Sequence, residues 1–498
     1  MIKIIFTLFI ISFSVVVQEP GYSQAAATSK NPPALSAITE SDLKKDLYAM
    51  ADDHFRGRAA GTIDEMKVSV WWAEQMRAAG LKPAGDDGTY FQFFSLWRNR
   101  ISPSSLISID NRSLQLWKDV LVAQIAPAVV SAPVIFLGPA NKIDFDKLDI
   151  KGKAVAVQAV PDGINLQVSL PEWRYYRYMM ALYGNKLLEK GAAAILFISD
   201  DFAEHSWEYA RENLRRGLYD IEGGVNATVA SKTPILWLHK NASEWIQKEG
   251  VTLTAAINIE KFDYPSVNII GKIDGTDPQL SKEHVLFSGH QDAHGIRNPF
   301  GTDTIYHGAD DNASVNVAML AVGRAFKKAP ARRSALFVVH GAEERGLLGS
   351  RFYSSHPTVP VSSIVAVLNG DMIGRNNPDS ATLLGAQAPH RNSFELVTMA
   401  LDANKEGPKF KLDTLWDKTT HIETWYFRSD HLPYARLGIP AIMYTTLLHS
   451  DYHTPMDDAK SINYSKLKKM TEWIYRTGWK AANSNKRPAT DLDFKLER

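Results

Sequence analysis

Between His290 and His453 the chain carries five short polar clusters, and each stands at the end of an apolar run or at the start of a helix-like run. In chain order they read GHQDAHG, HGADDNAS, HGAEERGLLGS, LNGDMIG and DYHTPMDD. Strand ends are the places where an α/β sheet presents its functional groups. The pattern therefore predicts an α/β domain in which these clusters meet at one edge of the sheet.

Length and composition indicate a globular protein with more than one domain. A chain of 498 residues is long enough for about two to four domains. The hydrophobic content of 45% and the charged content of 22% are typical of folded proteins. Because the net charge is +1 and no dense Lys/Arg run occurs, we expect no nucleic-acid partner. Cysteine is absent, so stability must come from the core and from any bound metal.

The first 25 residues have the pattern of a secretory signal peptide. Lys3 gives a short basic start, residues 4–17 are apolar, and the sequence from Ser23 to Ala25 offers small residues for cleavage. The apolar run is too short for a membrane-spanning helix. We therefore expect a bacterial-type signal at residues 1–25 and a mature protein that is secreted or periplasmic, without a membrane anchor.

The rest of the sequence divides into two kinds of segment. Residues 35–124 and 260–485 alternate strand-like runs with helical patterns, such as those at 313–327 and 464–482. Residues 125–259 instead contain short apolar strand candidates around one helical stretch. The sequence thus predicts an α/β catalytic domain interrupted by a β-rich insert at 125–259.

Two of the clusters pair residue types that suit a metal site. His290 and Asp292 are two positions apart at a strand end, so both side chains can point to one face. The imidazole offers a nitrogen to a metal, and Asp292 can accept a hydrogen bond from the other ring nitrogen. Glu343 and Glu344 are adjacent carboxylates, so one can ligate a metal while the other acts as general base.

The other three clusters supply further donors. Asp310 or Asp311 either caps the following helix or bridges two cations. Asp371 follows a buried-strand pattern, where a charge needs a partner, and His453 has Asp457 near enough to orient its ring. Mixed imidazole and carboxylate ligation suits zinc, with cobalt or manganese as alternatives. The other histidines near these clusters are interpreted as rim or structural residues: His294, His307, His421 and His449.

The spacing of GADDNAS, GAEERGLLGS and HTPMD resembles that of metallopeptidase family 28, the co-catalytic zinc aminopeptidases. The similarity extends to FRGRAAGT and AAGLKPAG near the start, while KGKAVAV and KGAAAILFI resemble segments of an inserted protease-associated (PA) domain. The resemblance implies a three-layer zinc-exopeptidase fold of the phosphorylase/hydrolase-like type, with a mixed central sheet and a β-rich PA-like insert.

The resemblance also implies a role for each candidate residue. It implies two zinc ions, one bound by His290 and Asp371, the other by Glu344 and His453, and both bridged by Asp310. By the same resemblance, Asp311 is not a ligand, Glu343 is the general base and Asp292 supports His290.

Candidate substrate contacts follow from the segment before the last strand. Arg428 to Ala441 resembles the corresponding family segment and places Asp430 near the site. Trp425 and Tyr426 either line a pocket for an apolar side chain or belong to the core.

The function implied by the resemblance is hydrolysis of N-terminal residues from peptide substrates. A carboxypeptidase of the glutamate carboxypeptidase type or a dipeptidase has the same fold, and a glutaminyl cyclase is less similar. A non-catalytic, receptor-like binding protein is the alternative from another class. Such a protein is expected to have lost ligands or the base, and here these residue types are present. The sequence does not define the preferred side chain or the oligomeric state.

Overall fold

The computed structural model describes residues 31–162, 164–224, 232–300 and 302–497, with the side chains of 298–300 left out. The expected signal peptide at residues 1–25 lies outside the described part of the chain. Within the described part, no helix combines the length and the apolar character that crossing a bilayer requires.

The strands, in chain order, are β1 (Lys82–Pro83), β2 (Phe91–Ile101), β3 (Leu106–Ile109), β4 (Arg112–Ser113), β5 (Val120–Val122), β6 (Ala128–Pro139), β7 (Ala154–Gln158), β8 (Ala194–Ile198), β9 (Leu218–Asp220), β10 (Ile235–Leu238), β11 (Thr252–Ile257), β12 (Ile259–Ile273), β13 (His284–His290), β14 (Gly295–Phe300), β15 (Asp303–Tyr306), β16 (Ser334–His340), β17 (Ile364–Gly370), β18 (Ser380–Leu384), β19 (Lys411–Leu412) and β20 (Ala441–Thr445).

The helices are α1 (Glu40–Met50), α2 (Ile63–Ala78), α3 (Pro171–Met179), α4 (Asn185–Glu189), α5 (Asp201–His205), α6 (Trp207–Arg216), α7 (Ser314–Lys328), α8 (Leu348–Ser355), α9 (Phe394–Glu406), α10 (His431–Arg436) and α11 (Tyr464–Asn483).

The central sheet has the order β19-β18-β20-β17-β13-β16-β12-β2-β9, with β1 paired to β12. Its middle strands β20, β17, β13 and β16 are parallel, whereas β12 and β2 pair antiparallel. The sheet is therefore mixed, and the predicted α/β fold class with a mixed central sheet is confirmed.

Helices cover both faces of this sheet, which explains why its middle strands are apolar at most positions. Side chains alternate between the faces, so Phe287 packs with α1, α2, α7 and α11 while its neighbour Leu286 packs with α8 and α10. In each of β13, β16 and β17, all seven residues are buried. Parallel strands covered on both faces read as continuous apolar runs, as they do here.

A second sheet has the order β4-β3-β11-β6-β7-β8-β10-β5 and has core clusters of its own. It begins at Leu106–Ile109, ahead of residue 125, where the insert was expected to start. The sheet starts earlier because β3 pairs with β11, which lies near the end of the segment. This pairing makes residues 106–109 part of the second sheet. One strand of this segment, β9, does not belong to the second sheet but pairs with β2 of the central sheet.

Candidate metal centre

The polar clusters meet because four neighbouring parallel strands end at one edge of the central sheet. His290 is the last residue of β13, and Asp371 directly follows β17. Glu343 and Glu344 lie in the short 3₁₀ turn after β16, and His453 lies in the loop after β20. Since β20, β17, β13 and β16 are adjacent, their carboxyl ends deliver these side chains to one place.

One group of donors forms around the ring of His290. Its Nε2 atom lies 3.7 Å from Oε2 of Glu343 and 3.9 Å from Oδ2 of Asp371. The same atom lies 3.3 Å from Oδ1 of Asp311. His290 is buried and its Nε2 has no hydrogen-bond partner among the described residues.

A second group forms around Glu344. Its Oε1 atom lies 3.4 Å from Nε2 of His453, and its Oε2 atom lies 3.3 Å from Nε2 of His294. The rings of His294 and His453 are perpendicular, with their centroids 3.9 Å apart. His294 had been interpreted as a rim or structural residue, yet it is buried beside the other two. The sequence signal was its place four residues after His290, but a loop path cannot be inferred from spacing.

Asp311 lies between the two groups, and the expectation that Asp310 does so is wrong in this structure. Oδ1 of Asp311 faces His290, and Oδ2 lies 3.1 Å from Nε2 of His453. Asp310 points away from both: its Oδ1 accepts a hydrogen bond from the Gly374 amide at 2.6 Å. The backbone leaves helical geometry at Asp311, so the two consecutive side chains point in different directions.

Asp292 supports the site through two contacts. Its carboxylate lies 3.7 Å from Nδ1 of His290, which is nearer to the Asp292 carbonyl oxygen at 3.1 Å. The carboxylate accepts hydrogen bonds from the amides of Glu343 at 2.9 Å and Glu344 at 3.3 Å. Asp292 therefore holds the glutamate turn in place as well as lying beside the histidine.

Asp457 has a different role from the one expected, which was to orient His453. Its Oδ1 accepts the amide hydrogen of Asp310 at 2.9 Å, and its Oδ2 accepts that of Asp311 at 3.1 Å. One carboxylate thus fixes the turn that directs Asp311 between the two histidines.

The site concentrates several carboxylates in a buried place, and this shifts the pKa values of Asp371, Glu343 and His290. Burial raises the pKa of Asp371 to about 8, assisted by the charge of Asp311. Burial likewise raises the pKa of Glu343 well above its ordinary value, although the charge of His290 opposes the shift. Burial would lower the pKa of His290, but Glu343 and the other carboxylates raise it well above its ordinary value. A group of carboxylates that repel one another in this way needs cations.

Donor spacing tests whether metal ions fit. Two ligands about 2.0–2.1 Å from a tetrahedral zinc ion are about 3.3–3.5 Å apart. Neighbouring donor atoms in the two groups are separated by 3.1 to 3.9 Å. The unpartnered buried atoms Nε2 of His290 and Oε1 of Glu344 are both among them. The residues therefore fit two metal ions that share Asp311.

The structure does not place the expected aromatic substrate contacts at the cavity. Trp425 is 2% exposed and Tyr426 is fully buried, and both belong to a core cluster. The ring of Tyr426 stacks on His390 with centroids 4.2 Å apart. Asp430 is also buried, and both of its carboxylate oxygens are unpartnered among the described residues. Its charge helps to raise the pKa of Glu343, so it lies close to the site without being open to a ligand.

A cavity of about 920 Å³ opens on the second group of donors. Glu344, His453 and His294 form part of its wall. Residues of α3 and α6, which belong to the segment that carries the second sheet, form another part of the wall. The cavity therefore connects the second donor group with the surface of α3 and α6.

Comparisons with known proteins show what parts of the chain are similar to. Residues 268–477 match the model of Peptidase family M28. The chain is 27% identical over 190 residues to Aminopeptidase YwaD of Bacillus subtilis (strain 168), covering 37% of this chain and 40% of that protein. It is 28% identical over 250 residues to a probable leucine aminopeptidase of Trichophyton verrucosum (strain HKI 0517), covering 47% and 62%. The chain thus spans about half the length of these curated relatives.

The fold is similar to that of a zinc aminopeptidase from Bacillus subtilis, with a TM-score of 0.56. The two chains are 18% identical, and the similarity covers 92% of this chain and 99% of the other. Fold and site together describe an α/β protein with a candidate centre for two metal ions. Residues 268–477, which contain all the donors of the two groups, are the part of the chain that is similar to peptidase family M28.

Proposed function

We propose that this chain is an aminopeptidase that uses two zinc ions to hydrolyse N-terminal residues from peptides. The observation that carries the proposal is the pair of histidine–carboxylate groups that share Asp311 at the edge of the central sheet. The names of the curated relatives, which are aminopeptidases, support hydrolysis at the N-terminus rather than at the C-terminus.

In this proposal the donors divide between two ions. His290, Asp371 and Asp311 would hold one ion, and Glu344, His453 and Asp311 would hold the other. Zinc at these positions would supply Lewis-acid chemistry, polarising a peptide carbonyl and lowering the pKa of water toward neutrality. His294 is a further candidate donor beside Glu344, and burial lowers the pKa of its ring well below the ordinary value.

Glu343 is proposed as the general base. Its amide is fixed by Asp292, and its carboxylate accepts no hydrogen bond from a described residue, so it is available to a substrate. The carboxylate takes a proton from the attacking water and donates it to the amine that leaves. A general base in this position contributes roughly 10²–10⁴-fold to the rate.

The first prediction tests this role. Replacing Glu343 by Gln removes the base and keeps the shape, so we expect kcat to fall by roughly 10²–10⁴-fold. Zinc content, measured by elemental analysis, should stay at two ions per chain within error. Glu74→Gln, on the exposed surface of α2, is the matched control and should retain both zinc and kcat. Unchanged turnover in the Glu343→Gln protein would rule out the base assignment.

A substrate panel separates the alternatives. Peptides with a free N-terminus and an amidated C-terminus should be hydrolysed, whereas those with an acetylated N-terminus and a free C-terminus should not. The opposite preference would favour the carboxypeptidase reading. Zinc-loaded protein that cleaves none of these peptides, yet binds them, would favour a receptor-like protein.

We further propose that the segment with the second sheet is a PA-like domain and that the mature protein is secreted or periplasmic. The motifs in residues 125–259 and the pattern of residues 1–25 support these two points. Expression of the full chain in a bacterial host, followed by fractionation and N-terminal sequencing, should give an exported protein that begins after Ala25. An uncut cytoplasmic protein would contradict the export proposal.

A further inference from the structure

Three arginines converge on the cavity that opens on the metal centre. Arg216 ends α6, Arg297 lies in β14, and Arg345 directly follows Glu344. All three line the 920 Å³ cavity, and all three line a second cavity of about 760 Å³ beside it. Their guanidinium groups thus come from three separate elements to the side of the cavity where Glu344 lies.

None of these three arginines forms an ion pair with a carboxylate in the described part of the chain. Arg297 donates to the side-chain oxygen of Asn213 at 2.9 Å and lies over the ring of Tyr306. Arg345 lies over the ring of Tyr219, and its Nε is buried without a hydrogen-bond partner.

The arginines also repel one another. Burial and the charges of Arg345 and Arg297 lower the pKa of Arg216 well below its ordinary value. Other arginines of α6 behave differently: Arg211 pairs with Glu208 and Glu212, and Arg215 pairs with Glu212. Among the described arginines of α6, the one that lines the 920 Å³ cavity is thus the one without a carboxylate partner, whereas Glu212 and Arg215 pair at the 760 Å³ cavity.

The carboxylates that do line the cavity are already engaged. Glu344 belongs to the second donor group, and Glu423 accepts hydrogen bonds from both Arg174 and Arg428. The cavity wall therefore has an excess of positive charge next to the metal centre. Half-buried guanidinium groups without counter-ions are costly, and an anion that enters between them removes that cost.

We propose that Arg216, Arg297 and Arg345 bind a carboxylate of the substrate, so that the preferred substrates are peptides with an acidic group near the cleaved bond. This proposal rests on the peptidase function proposed above and adds the substrate class. The planar guanidinium group presents paired N–H donors that match both oxygens of a carboxylate. The segment with the second sheet supplies Arg216, so it takes part in substrate selection.

The carboxylate has three chemical sources, and pairs of peptides distinguish them. Glu-Ala-Ala-amide against Gln-Ala-Ala-amide tests an acidic first side chain. Ala-Glu-Ala-amide against Ala-Gln-Ala-amide tests an acidic second side chain. Ala-Ala against Ala-Ala-amide tests the C-terminal carboxylate of a dipeptide. We expect the wild-type protein to favour the anionic member of at least one pair in kcat/KM.

The variant Arg216→Gln tests the cluster without touching a proposed metal ligand. Loss of a charge-assisted contact should reduce the preference for the anionic peptide, taken as the ratio of kcat/KM values, by about 10- to 100-fold. Most of the change should appear in KM. Arg211→Gln removes the same charge from the same helix away from both cavities and should leave the ratio as it is in the wild type.

A binding measurement keeps this test independent of turnover. Calorimetric titration of glutarate should give an affinity about 10- to 100-fold weaker for Arg216→Gln than for the wild type and for Arg211→Gln. Glutaramide, which has the same length without charge, should not distinguish the three proteins. Equal glutarate affinity in all three, or neutral peptides preferred in every pair, would overturn the carboxylate subsite while leaving the peptidase function intact. Absence of any hydrolysis with normal glutarate discrimination would instead overturn the peptidase function alone.

Discussion

Asp311 reaches both histidines because of its local backbone. Residues 309–313 form a wide turn in which Asp311 and Asn312 leave helical geometry, and α7 begins directly afterwards. Asp457 binds the two amides that precede this change of direction. As a result, one aspartate faces the metal centre and its neighbour faces the Gly374 amide.

The second prediction concerns this pair. Asp311→Asn removes the shared charge, so the protein should retain at most one zinc ion by elemental analysis and lose nearly all peptidase activity. Asp310→Asn is the matched control, since an Asn side-chain oxygen can still accept from Gly374. It should keep two ions and at least about a tenth of the wild-type activity. The reverse pattern of metal loss would return the bridging role to Asp310.

At the scale of single residues, the sequence predicts donors that follow a strand better than donors in a turn. His290, Glu343 and Asp371 each lie at or within three residues of the end of a strand, so their meeting follows from adjacent parallel strands. The Asp310–Asp311 pair offers two chemically identical candidates, and only the turn geometry distinguishes them. His294 was placed at the rim because spacing in a loop carries no directional information.

Arg58 joins elements that are far apart in the sequence. It is 1% exposed, and its guanidinium group donates to the carbonyl oxygens of Gln291 at 2.8 Å, His307 at 2.6 Å and Gly308 at 3.0 Å. One of these carbonyls lies next to His290 and another lies next to the turn with Asp311. The early FRGRAAGT motif thus fixes two loops of the metal centre.

The third prediction tests this bracing. Arg58→Met leaves the three buried carbonyls without their donor, and we expect zinc affinity to fall by about 10- to 100-fold, as for other groups that orient metal ligands. Competition with a chromogenic chelator measures the change. Arg56→Met, two residues earlier, removes a 56% exposed side chain with one weak ion pair and should leave the affinity unchanged. Equal affinity in both variants would contradict the role.

At the scale of elements, the central sheet was predictable and the limit of the second sheet was not. Runs such as SALFVVH become β16 because parallel strands covered on both faces need apolar residues on both faces. The first strand of the second sheet, Leu106–Ile109, pairs with β11 some 145 residues later. Long-range pairing of this kind leaves no periodic signal near residue 106 from which a boundary could be inferred.

Glu423 connects the two sheet-bearing parts of the molecule. It is 5% exposed, and its carboxylate accepts hydrogen bonds from the amide and hydroxyl of Ser169 at 2.7 and 2.8 Å. Arg174 of α3 and Arg428 each donate to it at 2.8 Å. This contact holds the segment with α3 beside the cavity.

The fourth prediction concerns the whole molecule. Glu423→Gln leaves two half-buried arginines without their counter-ion. The free energy of local opening of residues 165–178 should therefore fall by about 3 kcal/mol. Hydrogen–deuterium exchange of these amides measures it. Glu208→Gln breaks an ion pair in which the Glu208 side chain is 68% exposed. It should change the free energy of opening by less than about 1 kcal/mol. Similar protection in both variants would show that Glu423 does not anchor this segment.

The location of Arg216 on α6 has a consequence for how such proteins diversify. The donors of the two metal groups belong to residues 290–453 of the central-sheet unit, whereas this wall residue belongs to the interposed segment. Part of the proposed substrate selectivity thus comes from a stretch of sequence that contains no metal donor, while Arg297 and Arg345 lie in the same unit as the donors. A chimera that receives this segment from a relative with different cavity-lining residues should change its peptide preference while keeping the residues that would bind the metal ions.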